Sequence, residues 1–501
     1  MRKILIVQIL AALFAQAATV SATPAPNVVF ILADDLGYGE LGSYGQKKIR
    51  TPNLDRLAAE GRRLMRHYSG APVCAPSRCV LMTGKHLGNA QIRGNRQARR
   101  SFPEFTKGGQ HPITADALTL AEHFKENGYA TAAMGKWGLG PVGSTGDPNS
   151  QGFDHYYGYN CQAIAHSFFP RALWDDDKQI VINQKPIPGH KKQPEGEVKM
   201  DDYIGENYAS DLIRADALKW LGENAKGGKP FFLYLPFTEP HVAMHPPKKL
   251  VESYPAEWDD RPYRGQCAYL PHPRPRAGYA AMITHLDQHV GAVLDLLEEK
   301  GIADQTIVVF TSDNGTTHPS NGDPVFGIGG VDAAFFNSLA GLKGYKGSVN
   351  EGGLRVPCIV RWPGKIEAGS TSSFPSYFPD WFPTLCELTG NETPAGLDGI
   401  SIAPTLLGSG DQAARNPMVW VFPEYGGQVA VRFGNHLALR TGLSRKGKAS
   451  PWEAYDVVSD PNQTKDLAGE KPELVARAKQ ILADEWAENA MFKMDKDRAL
   501  E

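Results

Sequence analysis

The sequence has few cysteines, almost no net charge, and only one long apolar run, which lies at its N terminus. The six cysteines are scattered among 501 residues without a CxxC pair, which argues against a disulfide scaffold and a thiolate metal cluster. The formal net charge of −2 gives no global positive field, so we expect no nucleic-acid partner. An anionic ligand would have to be held by local positive charge.

The N-terminal apolar run has the features of a targeting segment. Arg2 and Lys3 precede it, and it ends in small residues that suit cleavage after Ala17 or Ala22. This pattern predicts a secretory signal peptide over residues 1–22, rather than a membrane anchor or a buried first strand. No later run is long and apolar enough to span a bilayer. We therefore expect an exported protein, periplasmic or secreted, without membrane insertion.

Strand and helix patterns alternate through the larger part of the chain. Short apolar runs predict strands at 27–33, 129–134, 231–235 and 306–311. Amphipathic patterns predict helices at 53–63, 118–127, 208–225 and 279–300. This alternation predicts an α/β fold with a large mixed, mostly parallel sheet sandwiched by helices. The stretch 135–207 is predicted to form long loops, which in a compact domain usually serve as functional walls.

A smaller α+β domain is predicted at the C terminus. The composition turns polar around 408–417, and short strand patterns follow at 418–422, 429–433 and 437–440. An amphipathic pattern over 471–488 predicts a helix beside this antiparallel sheet. We place the signal peptide at 1–22, the large domain at 23–412 and the C-terminal α+β domain at 413–501.

Polar residues follow the four apolar strands directly. They are Asp34, Asp35, Lys136, His241, Asp313 and Asn314. In open α/β sheets ligands bind at the carboxyl edge of the strands, so we expect these side chains to meet there. The carboxylate and amide oxygens suit a hard cation, Ca²⁺ or Mg²⁺, better than zinc. For any single aspartate a helix cap is the simpler explanation, but two such clusters favour a metal.

Cys74 stands in the stretch Cys-Ala-Pro-Ser-Arg, just before a segment at 77–83 that can open a helix. The positive end of the helix dipole would favour a catalytic thiolate there. A thiolate is nevertheless a poor neighbour for an oxygen-liganded cation, and a buried, inert cysteine is the common alternative. The physical chemistry of these residues leaves the choice open.

Several motifs together carry a family resemblance that runs from residue 27 to the C terminus. They are ADDLGYG, TPNLDRLAAEG, CAPSRCVLMTGKH, GKWGLG, QGFDHYYGY, FTEPH, SDNG and KGSVNEGGLRVP. The chain resembles the type I, formylglycine-dependent sulfatases of the alkaline phosphatase superfamily, and among them the bacterial carbohydrate sulfatases. The resemblance implies a sulfuric ester hydrolase with a catalytic domain at 23–412 and a sulfated saccharide as its substrate.

The resemblance also implies a modified nucleophile and a metal. In that family a separate maturation enzyme oxidises the cysteine of CxPSR to Cα-formylglycine, and the hydrated aldehyde attacks sulfur. Cys74 would therefore be converted, with the maturation enzyme as a partner. The implied Ca²⁺ ligands, with Mg²⁺ as the alternative ion, are Asp34, Asp35, Cys74, Asp313 and Asn314.

The resemblance assigns the remaining roles residue by residue. Asp313 is implied as the base that activates the nucleophile. The implied residues that bind sulfate, stabilise charge or protonate the leaving alcohol are Arg78, Lys136, His241 and Lys346. Lys343, close to Lys346 in sequence, is expected to be a solvated surface charge.

The sequence departs from the family pattern at Gly138. Most relatives read GKWHLG where this chain has GKWGLG, and their histidine removes the last proton of the reaction. We consider His166 as a replacement base or substrate-binding residue, and packing of that loop as the alternative. His86 is a further candidate base. Arg93 is a candidate substrate-binding residue, with a surface salt bridge as the alternative.

The subgroup motifs are similar to those of exo-acting bacterial carbohydrate sulfatases. We expect a galactose or N-acetylgalactosamine sulfate of a glycosaminoglycan or algal polysaccharide, with position 4 favoured over position 6. We expect the loop residues His166, Phe168, Phe169 and Trp174 to form either a sugar platform or a packed loop. Two alternative functions are a phosphodiesterase or phosphonate monoester hydrolase of the same superfamily, and a catalytically inactive sugar-binding relative. The oligomeric state is not predicted.

Overall fold

The computed structural model describes residues 25–98, 108–320, 322–444 and 449–501. The predicted signal peptide at 1–22 lies outside the described residues. In the part of the chain that is described, none of the helices combines the length and the apolar character that crossing a bilayer requires. All six cysteines are buried and free, as expected for a chain that does not depend on disulfide bonds.

The described residues contain seventeen strands. In chain order they are β1 (Asn27–Ala33), β2 (Arg62–Leu64), β3 (His67–Tyr68), β4 (Ala130–Lys136), β5 (His155–Tyr159), β6 (Ala172–Asp175), β7 (Lys178–Val181), β8 (Phe231–Pro236), β9 (Thr306–Ser312), β10 (Arg355–Val356), β11 (Cys358–Arg361), β12 (Ser370–Ser372), β13 (Ser376–Tyr377), β14 (Met418–Phe422), β15 (Gln428–Phe433), β16 (His436–Thr441) and β17 (Glu453–Asp456). A ten-stranded sheet has the order β12-β2-β11-β9-β1-β8-β4-β5-β6-β7, and two smaller sheets have the orders β10-β3-β13 and β14-β15-β16-β17.

The same residues contain twelve α-helices. In chain order they are α1 (Pro52–Glu60), α2 (Cys74–Thr83), α3 (Leu120–Glu126), α4 (Ala209–Asn224), α5 (Lys248–Glu252), α6 (Pro275–Glu299), α7 (Ala333–Phe336), α8 (Glu351–Leu354), α9 (Trp381–Thr389), α10 (Ala403–Leu407), α11 (Pro472–Glu485) and α12 (Lys496–Leu500). Helix α6 begins at Pro275, in the first-turn position that proline favours, and is therefore longer than the predicted 279–300 pattern at its N terminus.

The centre of the large sheet is parallel and covered on both faces. β9, β1, β8 and β4 are neighbours in parallel register, and β1 is buried along almost its whole length. Alternate residues of β1 enter two separate cores: Val28 and Phe30 pack on the side of α2, α3 and α9, and Val29 and Ile31 on the side of α1, α4 and α6. The predicted α/β sandwich is therefore confirmed, and its strand runs are apolar because both faces are buried.

The prediction of loops over 135–207 is wrong for three segments. β5 extends the sheet in parallel with β4, and β6 and β7 add an antiparallel edge. The sequence HYYGY of β5 has no continuous apolar run, and every residue of β7 is exposed. Because these strands pair by backbone hydrogen bonds without burying both faces, hydrophobic patterning does not reveal them.

The C-terminal part forms the predicted α+β unit. β14 to β17 make an antiparallel sheet, and α11 packs one apolar face against it. The strand β17 and the short helix α12 are additions to the predicted elements. The boundary at 412/413 stays a prediction, and the antiparallel sheet itself begins at Met418.

Glu40 lies fully buried in the loop after β1. Its carboxylate accepts hydrogen bonds from the Gly37 N–H at 2.6 Å, the Tyr279 hydroxyl at 2.9 Å and the Thr316 hydroxyl at 3.2 Å. Burial nevertheless raises the pKa of Glu40 to about 7, although the hydrogen bonds oppose this shift. This carboxyl group is therefore protonated more readily in the folded protein than in the unfolded chain.

We predict that this group makes the protein less stable as the pH rises. Its stabilising contribution is complete below the unfolded pKa of 4.5 and is lost as the pH passes the folded pKa of about 7. The loss is at most about 3 kcal/mol. Urea unfolding across this pH range should show that Glu40→Gln removes this part of the slope, because the amide cannot ionise. Identical slopes for the two proteins would contradict the prediction.

Candidate active site

Four adjacent strands bring the predicted polar residues to one edge of the large sheet. The residues that end or follow β1, β4, β8 and β9 are Asp34, Asp35, Lys136, His241, Asp313 and Asn314. All six are buried. Asp35 has a φ of +67°, in the left-handed region that non-glycine residues rarely adopt. Strain of this kind is typical of functional sites, where the surrounding structure holds a side chain in place.

Arg78, on the first turns of α2, joins three of these strand ends. Its Nε and Nη2 donate to Oδ2 of Asp313 at 3.0 and 2.7 Å, and Nη1 donates to the Lys136 carbonyl. Nη2 also lies 3.6 Å from Oδ2 of Asp34. A guanidinium suits this position because it remains charged when buried and donates in several fixed directions.

Two lysines complete the charge balance of the cluster. Lys136 Nζ lies 2.5 Å from Oδ2 of Asp34, and Lys346 Nζ lies 2.7 Å from an Asp35 carboxylate oxygen. Burial acts to raise the pKa of Asp34, but Lys136 and the other cations hold it well below its usual range. Burial acts to lower the pKa of Lys346, but Asp35 raises it well above its ordinary value. Both shifts favour the charged forms of Asp34 and Lys346.

Cys74 is the first residue of α2 and points at this charged cluster. Its Sγ lies 3.3 Å from Oδ1 of Asp34 and 4.0 Å from Oδ1 of Asp35. Burial and the Asp34 charge raise the pKa of the Cys74 thiol far above its ordinary value. The unmodified side chain is therefore a neutral thiol at neutral pH, which disfavours a simple thiolate nucleophile.

The acidic side of the cluster fits a hard cation. One donor atom from each of Asp34, Asp35, Cys74 and His241 lies within 4.8 Å of the other three. Asn314 Nδ2 donates to Asp35 at 2.8 Å, and among the described residues its buried Oδ1 has no hydrogen-bond partner. An uncommitted amide oxygen beside carboxylates is a ligand type that Ca²⁺ and Mg²⁺ prefer. Asp313 joins this group through Oδ1, which accepts from the Asp35 N–H at 3.2 Å.

A group of aromatic side chains covers His241 on the other side. The His166 ring stacks on the His241 ring with centroids 5.2 Å apart, and His166 Nδ1 lies 3.0 Å from Nε2 of His190. Tyr269 packs against all three histidines. Burial, followed by the His241 charge, lowers the pKa of His166 to about 2. The structure thus brings His166 to the cluster in its neutral form, whereas its catalytic role stays a prediction.

Two other predicted residues are not part of this cluster. Arg93 is buried, and its guanidinium donates to the backbone carbonyls of Gly88, Ala90 and Ala487. Among the described residues, Arg93 forms neither a contact with the cluster nor the surface salt bridge that was the alternative to substrate binding. The ring of His86 lies 3.2 Å from Glu485, so the geometry gives no support for its use as a base.

Lys343 and the aromatic loop residues were also assigned surroundings from the sequence. Lys343 is half-exposed and pairs with Glu453 at 3.3 Å, as expected for a surface charge. Phe168 and Phe169 are buried against Tyr208, which favours the packed-loop alternative over a sugar platform. Trp174 is also buried.

Three aromatic neighbours of the cluster, His190, Tyr269 and Tyr425, were not predicted because they lie outside any motif.

The space beside Gly138 is already occupied. Gly138 has a φ of +105°, and a Cβ added there would lie 1.9 Å from Nε2 of Gln162. The Gln162 side chain is buried and donates to the Trp137 carbonyl at 3.4 Å. A histidine at position 138 could therefore fit only if this glutamine moved. Gln162 was not identified from the sequence because it belongs to no motif.

Two family models and several curated proteins are similar to this chain. A family model described as Sulfatase matches residues 26–391, and one described as N-sulphoglucosamine sulphohydrolase, C-terminal, matches residues 345–487. Arylsulfatase A of Homo sapiens is 31% identical, over 94% of this chain and 89% of that protein. N-acetylgalactosamine-6-sulfatase of Canis lupus familiaris is 32% identical, over 76% of this chain and only 66% of that protein.

A solved structure is similar over nearly the whole chain. It is the crystal structure of Ps i-CgsB in complex with k-i-k-neocarrahexaose, with a TM-score of 0.73 and 25% sequence identity. The match covers 92% of this chain and 93% of that chain. The similarity therefore includes both the large sheet and the C-terminal antiparallel sheet.

Removing the guanidinium of Arg78 should destabilise the protein strongly. Arg78→Ala leaves Asp313 and Asp34 buried with one cation fewer, and we expect a loss of about 3–5 kcal/mol in urea unfolding. The matched control is Arg56→Ala, which breaks an exposed pair with Asp295 and should cost less than about 1 kcal/mol. Similar losses for both variants would show that the Arg78 interactions do not hold the strand ends.

The fit of Gly138 against Gln162 can be tested by a double-mutant cycle. Gly138→Ala should destabilise the protein by roughly 2–3 kcal/mol, because it adds both left-handed strain and a contact with Gln162. In a Gln162→Ala background the loss should be smaller by about 1 kcal/mol, since only the strain remains. Chemical unfolding of the four proteins measures this coupling. Additive losses would mean that Gln162 does not occupy this space.

Proposed function

The chain belongs to the sulfatase family and is a sulfuric ester hydrolase, and on that basis we propose its substrate and its catalytic groups. We propose that it removes sulfate from a galactose or N-acetylgalactosamine residue of a glycosaminoglycan or algal polysaccharide. The observation that carries the proposal is the convergence of three cations, the buried Arg78 and Lys136 and the partly buried Lys346, on the cluster that contains Cys74. A sulfate ester is an anion that such a site can bind.

Two similar proteins support the choice of sugar. One curated relative is an N-acetylgalactosamine-6-sulfatase, and one similar structure is a complex with k-i-k-neocarrahexaose. We keep position 4 as the proposed sulfate position, and the relative's name makes position 6 the necessary comparison. The phosphonate or phosphodiester alternative has no specific support in the described contacts.

We propose that Cys74 is converted to Cα-formylglycine and that a Ca²⁺ ion binds beside it. The proposed ligands are Asp34, Asp35, Asp313, Asn314 and residue 74, with Mg²⁺ as the alternative ion. A formylglycine supplies a hydrated aldehyde as the nucleophile, and the cation supplies Lewis-acid polarisation of the sulfate group. The neutral, deeply buried thiol of Cys74 supports conversion over the use of an ordinary thiolate.

The basic residues would hold the sulfate and stabilise the charge that develops on it. Arg78 is fixed by Asp313 and Asp34, so it requires little reorganisation as the reaction proceeds. Lys136, at the end of β4, contacts Asp34 and presents an ammonium group to the same region. Asp313 lies between these cations and Asp35, a position from which we propose that it accepts a proton from residue 74.

Lys346 and His241 are the proposed groups for protonating the leaving alcohol. Both lie at Asp35, with Lys346 Nζ at 2.7 Å and His241 Nε2 at 3.5 Å. We propose that His166, stacked on His241, replaces the family histidine as the base for the last proton. A bound anion would raise the pKa of His166 because its low value arises partly from His241 and the nearby lysines.

Export of the protein is a further part of this proposal. Residues 1–22 have the charge and apolar pattern of a secretory signal peptide. A periplasmic or extracellular location would suit an enzyme that acts on polysaccharide. The maturation enzyme that reads the Cys-Ala-Pro-Ser-Arg stretch would then be required in the producing cell.

Sulfate release from a panel of sugars tests the proposed function. The enzyme, produced together with a maturation enzyme, should release sulfate from galactose or N-acetylgalactosamine sulfates, and ion chromatography of inorganic sulfate measures this. The panel should contain 4- and 6-sulfates and the matching phosphate esters. Faster cleavage of the phosphate esters would favour the phosphonate or phosphodiester alternative.

Variants of two cysteines on the same helix provide the matched control. Cys74→Ala should lower sulfate release by at least about 10³-fold, because the nucleophile is lost. Cys79→Ala should retain most of the activity, because this side chain packs into the core. No release by the wild-type enzyme, combined with retained oligosaccharide binding by Cys74→Ala, would point to the inactive sugar-binding alternative.

A further inference from the structure

A second group of metal-ligating side chains lies next to the strand end that carries His241. It consists of Asp211 on α4, His285 and His289 on α6, and Glu239 just after β8. His285 and His289 are four positions apart on the helix and therefore lie on the same face. One donor atom from each of Asp211, His285 and His289 lies within 4.8 Å of the other two.

Each ring nitrogen of His285 faces a carboxylate. Its Nε2 lies 3.2 Å from Oδ1 of Asp211, and its Nδ1 lies 3.2 Å from Oε1 of Glu239. A carboxylate that accepts from one imidazole nitrogen fixes the tautomer and orients the other nitrogen toward a metal. Glu239 is in the right place to orient His285 in this way.

The hydrogen bonds among the described side chains do not satisfy His289. It is 0% exposed, and among the described residues neither of its ring nitrogens has a hydrogen-bond partner. Its Nε2 comes no closer than 3.5 Å to Oε1 of Glu239, and Oε2 of Glu239 is also buried without a partner. Buried polar groups usually have partners, so these unsatisfied atoms indicate a missing ligand.

A protonated His285 between Asp211 and Glu239 is the alternative arrangement. It accounts for both contacts of His285 but leaves His289 with only its 3.5 Å contact to Oε1 of Glu239.

The cluster can be reached from solvent. Asp211 is 38% exposed, and it lines a cavity of about 450 Å³ together with Tyr208 and His245. Tyr208 also packs its ring against His285, with centroids 5.3 Å apart. A metal ion in this cavity would therefore meet the Asp211 carboxylate, which is the solvent-exposed member of the cluster.

We propose that Asp211, His285 and His289 bind a transition-metal dication, with Zn²⁺ as the best match, and that Glu239 orients His285. Two imidazoles and a carboxylate suit Zn²⁺, whereas the oxygen-rich cluster near Cys74 suits Ca²⁺. The Glu239 carbonyl accepts a hydrogen bond from the Asp34 N–H at 3.1 Å. A metal held here would therefore stabilise the strand end that positions Asp34 and His241.

Titration of the full-length protein with Co²⁺ alone, in excess Ca²⁺, tests the site independently of sulfate release. Calcium occupies the oxygen-rich cluster, and Co²⁺ bound to nitrogen gives visible absorption bands that report its coordination. We expect about one equivalent of Co²⁺ to bind and Zn²⁺ to displace it. Asp211→Asn and His289→Gln should each weaken binding by at least about 10-fold.

A control variant addresses the other candidate cluster, which consists of His155, Asp175 and Asp176. His155→Gln should leave Co²⁺ binding unchanged. Asp211 is half-exposed, so Asp211→Asn gives a decisive result even if His289→Gln does not fold. The proposal is overturned if the wild-type protein binds no Co²⁺, if both cluster variants bind it like the wild type, or if only His155→Gln loses binding.

Discussion

The buried guanidinium of Arg78 is the interaction on which the candidate site depends. It reaches Asp313 after β9, the carbonyl at the end of β4, and Asp34 after β1, so one side chain connects three strand ends of the central sheet. Buried carboxylates at the edge of a parallel sheet would repel one another without such a cation. The apolar strands therefore place the carboxylates at this edge, and the cation of Arg78 allows them to lie close together.

The same charge balance explains why residue 74 is an unusual choice for an unmodified nucleophile. Its thiol lies among carboxylates, and burial raises its pKa, so it stays protonated. The lysines and Arg78 pair with the carboxylates, and the rings of His166 and His241 cover the cluster on one side. The site is thus organised to receive an anionic group and a hard cation, and it does so without any excess of positive charge on the whole chain.

The features best predicted from the sequence are those that depend on continuous hydrophobic patterns. The four apolar strands are recognisable because a parallel sheet buries both of its faces. The meeting of Asp34, Lys136 and Asp313 follows because the carboxyl ends of these strands lie at one edge of the sheet. The edge strands β5, β6 and β7 were missed because they lack such a pattern. The position of Gln162 against Gly138, and the backbone contacts of Arg93, arise from packing between segments far apart in sequence, which no local pattern contains.

Mass spectrometry of the peptide that contains Cys74 is the most direct test of the proposed chemistry. In protein from the native host, or produced together with a maturation enzyme, we expect a mass about 18 Da below that of the thiol form, as conversion to the aldehyde requires. An unmodified thiol in protein that releases sulfate at full rate would contradict the proposal, because the nucleophile would then have to be another group.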